Sequence, residues 1–309
     1  MTIELGRNQY GKAETRVVRV YRGDGARQEI RDLNVSTLLR GDFGDAHLRG
    51  DQASVLPTDS QKNTCFAFAK EKGVGEIEDY ALDLARHFAG EIAPVSSARV
   101  EVEEYRWERV SVAGQPHPHT FKRTSDEVRT TAVTALGSAG RKGALGFAWV
   151  VSGLKDLVVL KSTGSEFSGF LKDRYTTLAE TSDRILATSL TARWRYGRGG
   201  RHKSWDEAYE QIRQVLLERF ATLHSLALQQ TLFEMGRAVL EARDDVAEIR
   251  LSAPNKHHFL ADLSPFGLDN PGEVFHAADR PYGLIQCAVQ RDDAEDPGPA
   301  WDSAAAFEG

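Results

Sequence analysis

Phe167 and Arg184 lie in the middle of the chain. An aromatic side chain and a guanidinium can together hold a flat, oxygen-rich heterocycle. They lie within the stretch 161–184, KSTGSEFSGFLKDRYTTLAETSDR, where small and polar residues surround the phenylalanine. An aromatic face stacks on a planar ring, and a guanidinium presents a rigid fork of donors to oxygen atoms. The stretch therefore predicts one wall of a ligand pocket whose other walls come from elsewhere in the chain.

Thr58 and Asp59 begin a helical pattern, and the spacing from Thr58 to Gln61 is that of a capping box. The simpler interpretation is a helix cap followed by an acid that complements the helix dipole. The functional interpretation uses the same geometry, because the amides at a helix start bind anions. Lys12, in the motif YGK, is a solvated lysine in the simpler interpretation and a candidate base if the fold brings it beside a threonine.

Histidines and an amide supply further candidates. The run 254–258, PNKHH, follows a predicted strand, where neighbouring side chains face opposite sides. At most one of its histidines can therefore join a given site, which argues against a two-histidine metal pair and leaves one as a proton carrier near neutral pH. The histidines of 116–119, PHPH, have no acid or cysteine close by and are interpreted as a proline-bracketed loop. Leu228 is a core residue by default, whereas Gln229 lies on a helix flank and can pair with a carbonyl and an N–H together.

The composition excludes several classes of function. A net charge of −6 and a pI of about 5.9 give no basic surface for nucleic acid or an anionic membrane. Cys65 and Cys287 each lie alone in an apolar segment, which favours free thiols and a reducing compartment. No run of about 18 apolar residues, no signal-peptide core and no peroxisomal Ser-Lys-Leu ending is present. We expect a cytoplasmic protein without a metal site.

The elements that must position these residues follow one order twice. The first half predicts two strands, two helices and two strands, at 16–22, 28–39, 58–73, 77–88, 98–112 and 120–136. The second half repeats this order, at 145–152, 156–163, 184–196, 208–220, 225–242, 246–253 and 282–290. The loop GQPHPHT is predicted to join the last two strands of the first half, and the Gly-rich segment 137–143 is the natural seam between the halves.

This pattern predicts an α+β fold in which each half is an antiparallel sheet with two helices on one face. The predicted boundaries are 1–140 for the first unit and 141–292 for the second, with 293–309 as a mobile acidic tail. The strands are too long and too numerous for one closed core. Their edges need partners, which predicts an oligomer formed by sheet extension.

Long motifs spread over essentially the whole chain except the tail resemble the urate oxidase family. They are YGK (10–12), TDSQKNT (58–64), GQPHPHTF (114–121), LKSTGSEFSGFLKDRYTTLAETSDRILAT (160–188), PNKHHF (254–259) and NPGEVFHAADRPYGLIQ (270–286). Three features depart from the family's pattern. Ser168 stands where the family often has a bulky aromatic, Leu228 replaces a usual valine, and the peroxisomal C-terminus is missing.

The resemblance implies tandem tunnelling-fold (T-fold) units, with four chains assembled into an oligomeric β-barrel tunnel and active sites at subunit interfaces. It implies oxidation of urate by O2 and water to 5-hydroxyisourate and hydrogen peroxide, without a metal or organic cofactor. By position in the motifs, Lys12, Thr58 and His257 would form a proton relay. The residues implied to contact urate or the oxygen-side ligand are Thr58, Asp59, Phe167, Arg184, Leu228, Gln229 and Asn255. Thr58 and Asp59 would come from the neighbouring chain.

Two other classes of protein share parts of this pattern. A tunnelling-fold enzyme acting on a pterin would also grip a flat heterocycle, but it typically uses a carboxylate and often zinc. The Arg184–Gln229 combination and the lack of metal ligands disfavour that alternative. A non-catalytic binding protein of the same fold would be expected to lack Lys12, Thr58 or His257, and all three are present.

Overall fold

The computed structural model describes residues 2–137, 145–197, 204–278 and 280–303, and divides the chain into two compact units. The first unit comprises the described residues of Met1–Gly153, His202–Asp206 and Glu295–Gly309. Its elements, in chain order, are β1 (Tyr10–Arg22), β2 (Gln28–Gly41), α1 (Gly44–Arg49), α2 (Thr58–Glu71), α3 (Ile77–Glu91), β3 (Val95–Val112), β4 (Gln115–Gly137) and the first part of β5 (Leu145–Lys161).

The first unit is an antiparallel sheet packed against helices. Its strands follow the order β1-β2-β3-β4, and each neighbouring pair is antiparallel. Helix α3 lies on β3 and β4, and α2 lies against β1. The predicted apolar stripe of α3 is buried as expected, with Ile77, Leu84 and Phe88 fully inaccessible to solvent. Full burial of such a side chain contributes about 1.5–3 kcal/mol, so this stripe fixes the helix on the sheet.

The second unit comprises the described residues of Leu154–Arg201 and Glu207–Ala294. Its further elements are β6 (Leu186–Tyr196), α4 (Trp205–Thr222), α5 (Leu228–Ala242), β7 (Val246–Pro254), β8 (His257–Leu260), β9 (Phe275–Ala278) and β10 (Leu284–Gln290). Strand β7 pairs antiparallel with both β6 and β10. Helix α5 packs on β7 and β10, and its predicted stripe is buried at Leu232, Met235 and Val239. The short strands β8 and β9 form a separate two-stranded sheet.

The predicted α+β class is confirmed, and the predicted element order returns in the second unit. Several strand predictions were wrong. Strand β1 begins at Tyr10 and not at 16, so that it includes Lys12, and β8 and β9 were not predicted. The segments 145–152 and 156–163 are one strand, β5, which continues through Asp156 in a left-handed conformation (φ 60°) that aspartate tolerates better than most residues. Strand β4 begins at Gln115, so the turn before it is only Ala113-Gly114, both with positive φ. The predicted seam at 137–143 lies, apart from Gly137, outside the described residues.

The last described residues pack on the first unit, although composition predicted a mobile tail from 293. A 3-10 helix spans Gly298–Trp301, and Ala300 is buried against Trp149. Arg99 donates a hydrogen bond from Nη1 to the carbonyl of Ala300 at 3.2 Å. Small and aromatic residues at 298–301 therefore anchor a segment whose charge alone indicated disorder. Residues 304–309 lie outside the described chain, and the predicted boundaries at 140 and 292 stay predictions.

Within the described residues, none of the helices combines the length and the apolar character needed to cross a membrane.

Candidate active site

Phe167 and Arg184, called the clamp below, lie against one another in the second unit. The guanidinium carbon of Arg184 is 5.2 Å from the centre of the Phe167 ring. The backbone of Phe167 exchanges two hydrogen bonds with Thr181, at 2.9 and 3.0 Å, and the Arg184 amide donates to the carbonyl of Ser165 at 2.7 Å. The intervening loop thus closes on itself and brings together two side chains that are far apart in sequence. Phe170 stacks on Phe167 with ring centres 4.8 Å apart.

The guanidinium of Arg184 carries a buried donor without an acceptor. Its Nε is inaccessible to solvent and has no hydrogen-bond partner. Burial lowers the pKa of Arg184 from its ordinary value, because removal from water disfavours the charged form. A buried unpaired donor costs about 1–3 kcal/mol in desolvation, and an incoming anionic oxygen would remove that cost. The Nε donor of Arg184 is therefore available to an acceptor that the described residues do not supply.

Asp183, which the sequence reasoning missed, organises the loop around the clamp. Its carboxylate accepts hydrogen bonds from the Thr163 hydroxyl at 2.6 Å, the Gly164 amide at 2.9 Å and the Ser165 amide at 3.4 Å. The Thr163 bond, with these amides, holds the pKa of Asp183 below its ordinary value. An aspartate directly before a candidate arginine, among threonines and serines, is a signal for such a loop.

Leu228 and Gln229 are the first two residues of α5. Leu228 is buried, as a core residue would be, and Gln229 is exposed, as the predicted helix flank requires. The helix start is held by Gln230, whose side-chain oxygen accepts a hydrogen bond from the Leu226 amide at 3.0 Å. Gln229 therefore lies at the helix start as an exposed side chain.

Asn255 and His257 follow the end of β7. Asn255 is only 9% exposed, and its backbone N–H donates to the carbonyl of Gly283 at 2.8 Å. It also bridges Thr188 of β6, whose hydroxyl donates to the Pro254 carbonyl at 2.8 Å. His257 begins β8, where it is half-buried and stacks near Phe259 with ring centres 5.7 Å apart. The fixed backbone thus places the buried Asn255 two residues from a histidine that keeps access to solvent.

Thr58 and Asp59 are the first two residues of α2, in the first unit, but the predicted capping box does not form. The N-cap is Pro57, and no side chain caps the helix start. The Asp59 carboxylate instead binds Lys62 and accepts a hydrogen bond from Asn63 at 3.1 Å. These contacts, mainly the Lys62 hydrogen bond, lower the pKa of Asp59. An uncapped helix start leaves its amides to an anionic ligand.

Gln61 has a different role from the predicted one, and it connects α2 to the sheet. It is fully buried, and its Oε1 accepts a hydrogen bond from the Thr37 hydroxyl at 2.8 Å. Thr37 is the β2 residue that pairs with Lys12 of β1. Lys12 is half-buried, and the register of the β1–β2 pair shifts between Lys12 and Thr15. The positive charge of Lys12 also lowers the pKa of Asp59. Two buried polar side chains therefore tie the start of α2 to the strand pair that carries Lys12.

The candidates thus form two groups. Lys12, Thr58 and Asp59 belong to the first unit, and the clamp, Leu228, Gln229, Asn255 and His257 belong to the second. Among the described residues, His, Cys, Asp and Glu side chains form no cluster of three or more that could hold a metal ion. The histidines of 116–119 are at the start of β4, where His117 and His119 pack edge to face, 4.6 Å apart.

Comparison with known proteins gives a single result. A sequence model of the uricase family matches residues 8–134 and 150–286. Uricase from Arthrobacter globiformis is 50% identical over 305 residues, which cover 99% of this chain and 96% of that protein. Uricase from Cyberlindnera jadinii is 35% identical over 304 residues, covering 94% of this chain and 98% of that protein.

Solved structures agree with the sequences. The crystal structure of uricase from Arthrobacter globiformis matches with a TM-score of 0.90 at 49% identity, covering 98% of this chain and 100% of that one. Urate oxidase from Bacillus sp. TB-90 matches with a TM-score of 0.77 at 23% identity, over 92% of this chain and 100% of that one, which shows the shared fold alone. The chain therefore belongs to the uricase family.

Proposed function

We propose that this chain is a urate oxidase. It converts urate, O2 and water to 5-hydroxyisourate and hydrogen peroxide in the breakdown of purines. The observation that carries the proposal is the clamp, in which a buried and unpaired guanidinium donor lies beside an aromatic ring. Urate is a flat anion at neutral pH, and it matches both groups.

Each binding residue has a chemical task in this proposal. Phe167 stacks on the purine, and Arg184 donates to adjacent oxygen and nitrogen atoms along one edge. Gln229 pairs with a neighbouring carbonyl and N–H, since its amide offers an acceptor and donors together. The Asp59 amide at the uncapped start of α2 meets the opposite edge, and Thr58 lies beside it.

The chemistry requires the removal of protons before electrons can leave. Further deprotonation makes the purine rich enough in electrons to reduce O2, so the site uses no metal or organic cofactor. Lys12 acts as the base through the Thr58 hydroxyl. Asn255 holds the small polar partner, O2 or water, above the ring, and His257 delivers or accepts the proton that accompanies it.

Leu228 replaces a usual valine and adds one methylene at the pocket wall. It is 3% exposed, so the side chain is packed rather than extended into solvent. One methylene in a hydrophobic pocket changes the binding free energy by about 1–3 kcal/mol at most. The replacement therefore tunes urate affinity and leaves the reaction intact.

The two groups of residues fit an interface site. We propose a homotetramer of tunnelling-fold units, a barrel with a central tunnel, in which Thr58 and Asp59 of one chain complete the site of its neighbour. The proposal includes a cytoplasmic location and neither a nucleic-acid nor a membrane partner. Mixing Arg184→Ala chains with Thr58→Ala chains should restore about a quarter of the unmodified activity, because about one site in four then receives both intact residues. No recovery in verified mixed oligomers would exclude shared sites.

The function is tested with purified protein treated with a chelator. Urate absorbance should fall while O2 is consumed and peroxide accumulates, one of each per urate. A protein that needs added zinc or iron would contradict the cofactor-free mechanism, and a protein that leaves urate unchanged would contradict the function itself.

A further inference from the structure

Glu166 and His224, called the latch below, make a side-chain contact next to the clamp. His224 Nε2 and Glu166 Oε1 are 2.8 Å apart. The Glu166 side chain is 25% exposed and that of His224 is 57% exposed, so the contact is at the surface end of the site. Ser168, which also departs from the family pattern, has its hydroxyl 3.5 Å from the second carboxylate oxygen of Glu166, Oε2.

The latch joins the segment that carries Phe167 to the segment that leads into α5, where Leu228 and Gln229 lie. Glu166 directly precedes Phe167, and His224 lies four residues before Leu228, at the approach to α5. The backbones of these segments already touch, because Ser165 and Ser225 form a parallel bridge. The Glu166 amide donates to the Ser225 carbonyl at 2.8 Å, and the Ser225 amide donates to the Gly164 carbonyl at 2.9 Å.

Neighbouring contacts also join these two segments and brace each of them. Lys161 donates from Nζ to the Leu223 carbonyl at 2.6 Å, and the Thr231 hydroxyl donates to the Ser225 hydroxyl at 2.7 Å. On the other side, Asp183 holds the amides of Gly164 and Ser165. The latch adds to this frame a contact between the two side chains that flank Phe167 and the approach to α5.

We propose that Glu166 and His224 are positioning residues that set the distance between Phe167 and the start of α5, where Leu228 and Gln229 contact urate. This inference rests on the proposed function. Neither latch residue is among the proposed urate contacts, so loss of the latch should weaken urate binding without slowing the chemical step. A solvent-exposed ion pair contributes little free energy, so the expected change in KM is about two- to five-fold.

The test compares His224→Ala, Glu166→Ala and the double variant in steady-state urate oxidation and in calorimetric binding of urate under anaerobic conditions. Each single variant should raise KM and the anaerobic Kd by about two- to five-fold, with kcat within about two-fold of the unmodified protein. The double variant should be no worse than either single variant, because both remove one contact. His224→Gln, which keeps a donor for Glu166, should recover most of the affinity.

A matched control comes from the first unit. His87 and Glu91 form the same kind of pair at 3.1 Å within α3, so His87→Ala should leave KM unchanged. An unchanged KM in both single latch variants, or additive effects on KM in the double variant, would refute the positioning role of Glu166 and His224. A fall in kcat as large as the rise in KM would overturn it too. If His224→Ala fails to fold, Glu166→Ala breaks the same contact and decides the question. Failure of the unmodified protein to oxidise urate would refute the proposed function. The anaerobic Kd values for urate would still show whether Glu166 and His224 affect urate binding.

Discussion

Replacing Arg184 with methionine separates a binding role from a structural role. The side chain is half-buried, keeps one buried unpaired donor and lies 5.2 Å from the Phe167 ring. Each hydrogen bond to a charged group contributes about 1.5–3 kcal/mol, and a bidentate grip loses two of them. Solvent screening at a half-buried site favours the lower end. A loss of about 3 kcal/mol corresponds to a urate Kd raised by about 100-fold or more.

The same substitution should leave the ligand-free protein as stable as before or more stable. Methionine removes a buried donor that has no acceptor, so the folded chain no longer bears its desolvation cost. The assays are anaerobic calorimetry with urate and thermal unfolding without it.

Arg129 provides the matched control. It is also a buried arginine, but it contacts Glu78 at 2.7 Å and Asp206. Arg129→Met leaves Glu78 buried without its partner and should cost about 3–5 kcal/mol of stability, with urate affinity preserved in the folded fraction. If Arg184→Met lowered the melting temperature as much as Arg129→Met and left urate affinity intact, the binding role of Arg184 would be refuted.

Two further predictions concern the proton relay and the clamp loop. Lys12→Met and Thr58→Ala should each lower kcat by about 10²-fold or more with a smaller change in KM, because each removes part of the general base. If steady-state kinetics showed an unchanged kcat, the proton-relay role of the substituted residue would be refuted. Asp183→Asn should lower thermal stability and urate affinity at neutral pH, because the lowered pKa of Asp183 means that its carboxylate stabilises the fold above its unfolded-state pKa of about 4. That contribution is lost as pH falls through the folded-state pKa, so the melting temperatures of the two proteins should converge in acid. A difference in melting temperature that did not depend on pH would contradict the stabilising role of the Asp183 carboxylate.

Periodicity predicted much of the fold because burial follows it closely. The stripes of α3 and α5 are buried where the 3.6-residue repeat placed them, as Leu84 and Met235 illustrate. Strand ends were less predictable. The segments 145–152 and 156–163 were predicted as separate strands and not as the single strand β5, since a sequence pattern does not distinguish a strand irregularity from a strand end. The packed 298–301 segment depended on tertiary contacts with Trp149, which local composition does not encode.

The candidate site was predictable in its residue types and less so in its supports. The sequence singled out Phe167 and Arg184 as partners, and the structure brings them together. It missed Asp183, whose importance comes from three hydrogen bonds made across the loop. It assigned Gln61 to a helix cap, whereas burial turns this side chain towards Thr37. Contacts that depend on which segments meet in space are not present in any local pattern.

The structure of the protein with urate bound in the absence of O2 tests the central claim most directly. We expect the purine ring parallel to Phe167 at stacking distance, about 3.5 Å, and purine atoms within about 2.7–3.2 Å of the Arg184 guanidinium, including its now unpaired Nε. Thr58 and the Asp59 amide of the neighbouring chain should contact the opposite edge. Urate bound away from Phe167 and Arg184, or a site completed by residues of one chain alone, would contradict this account.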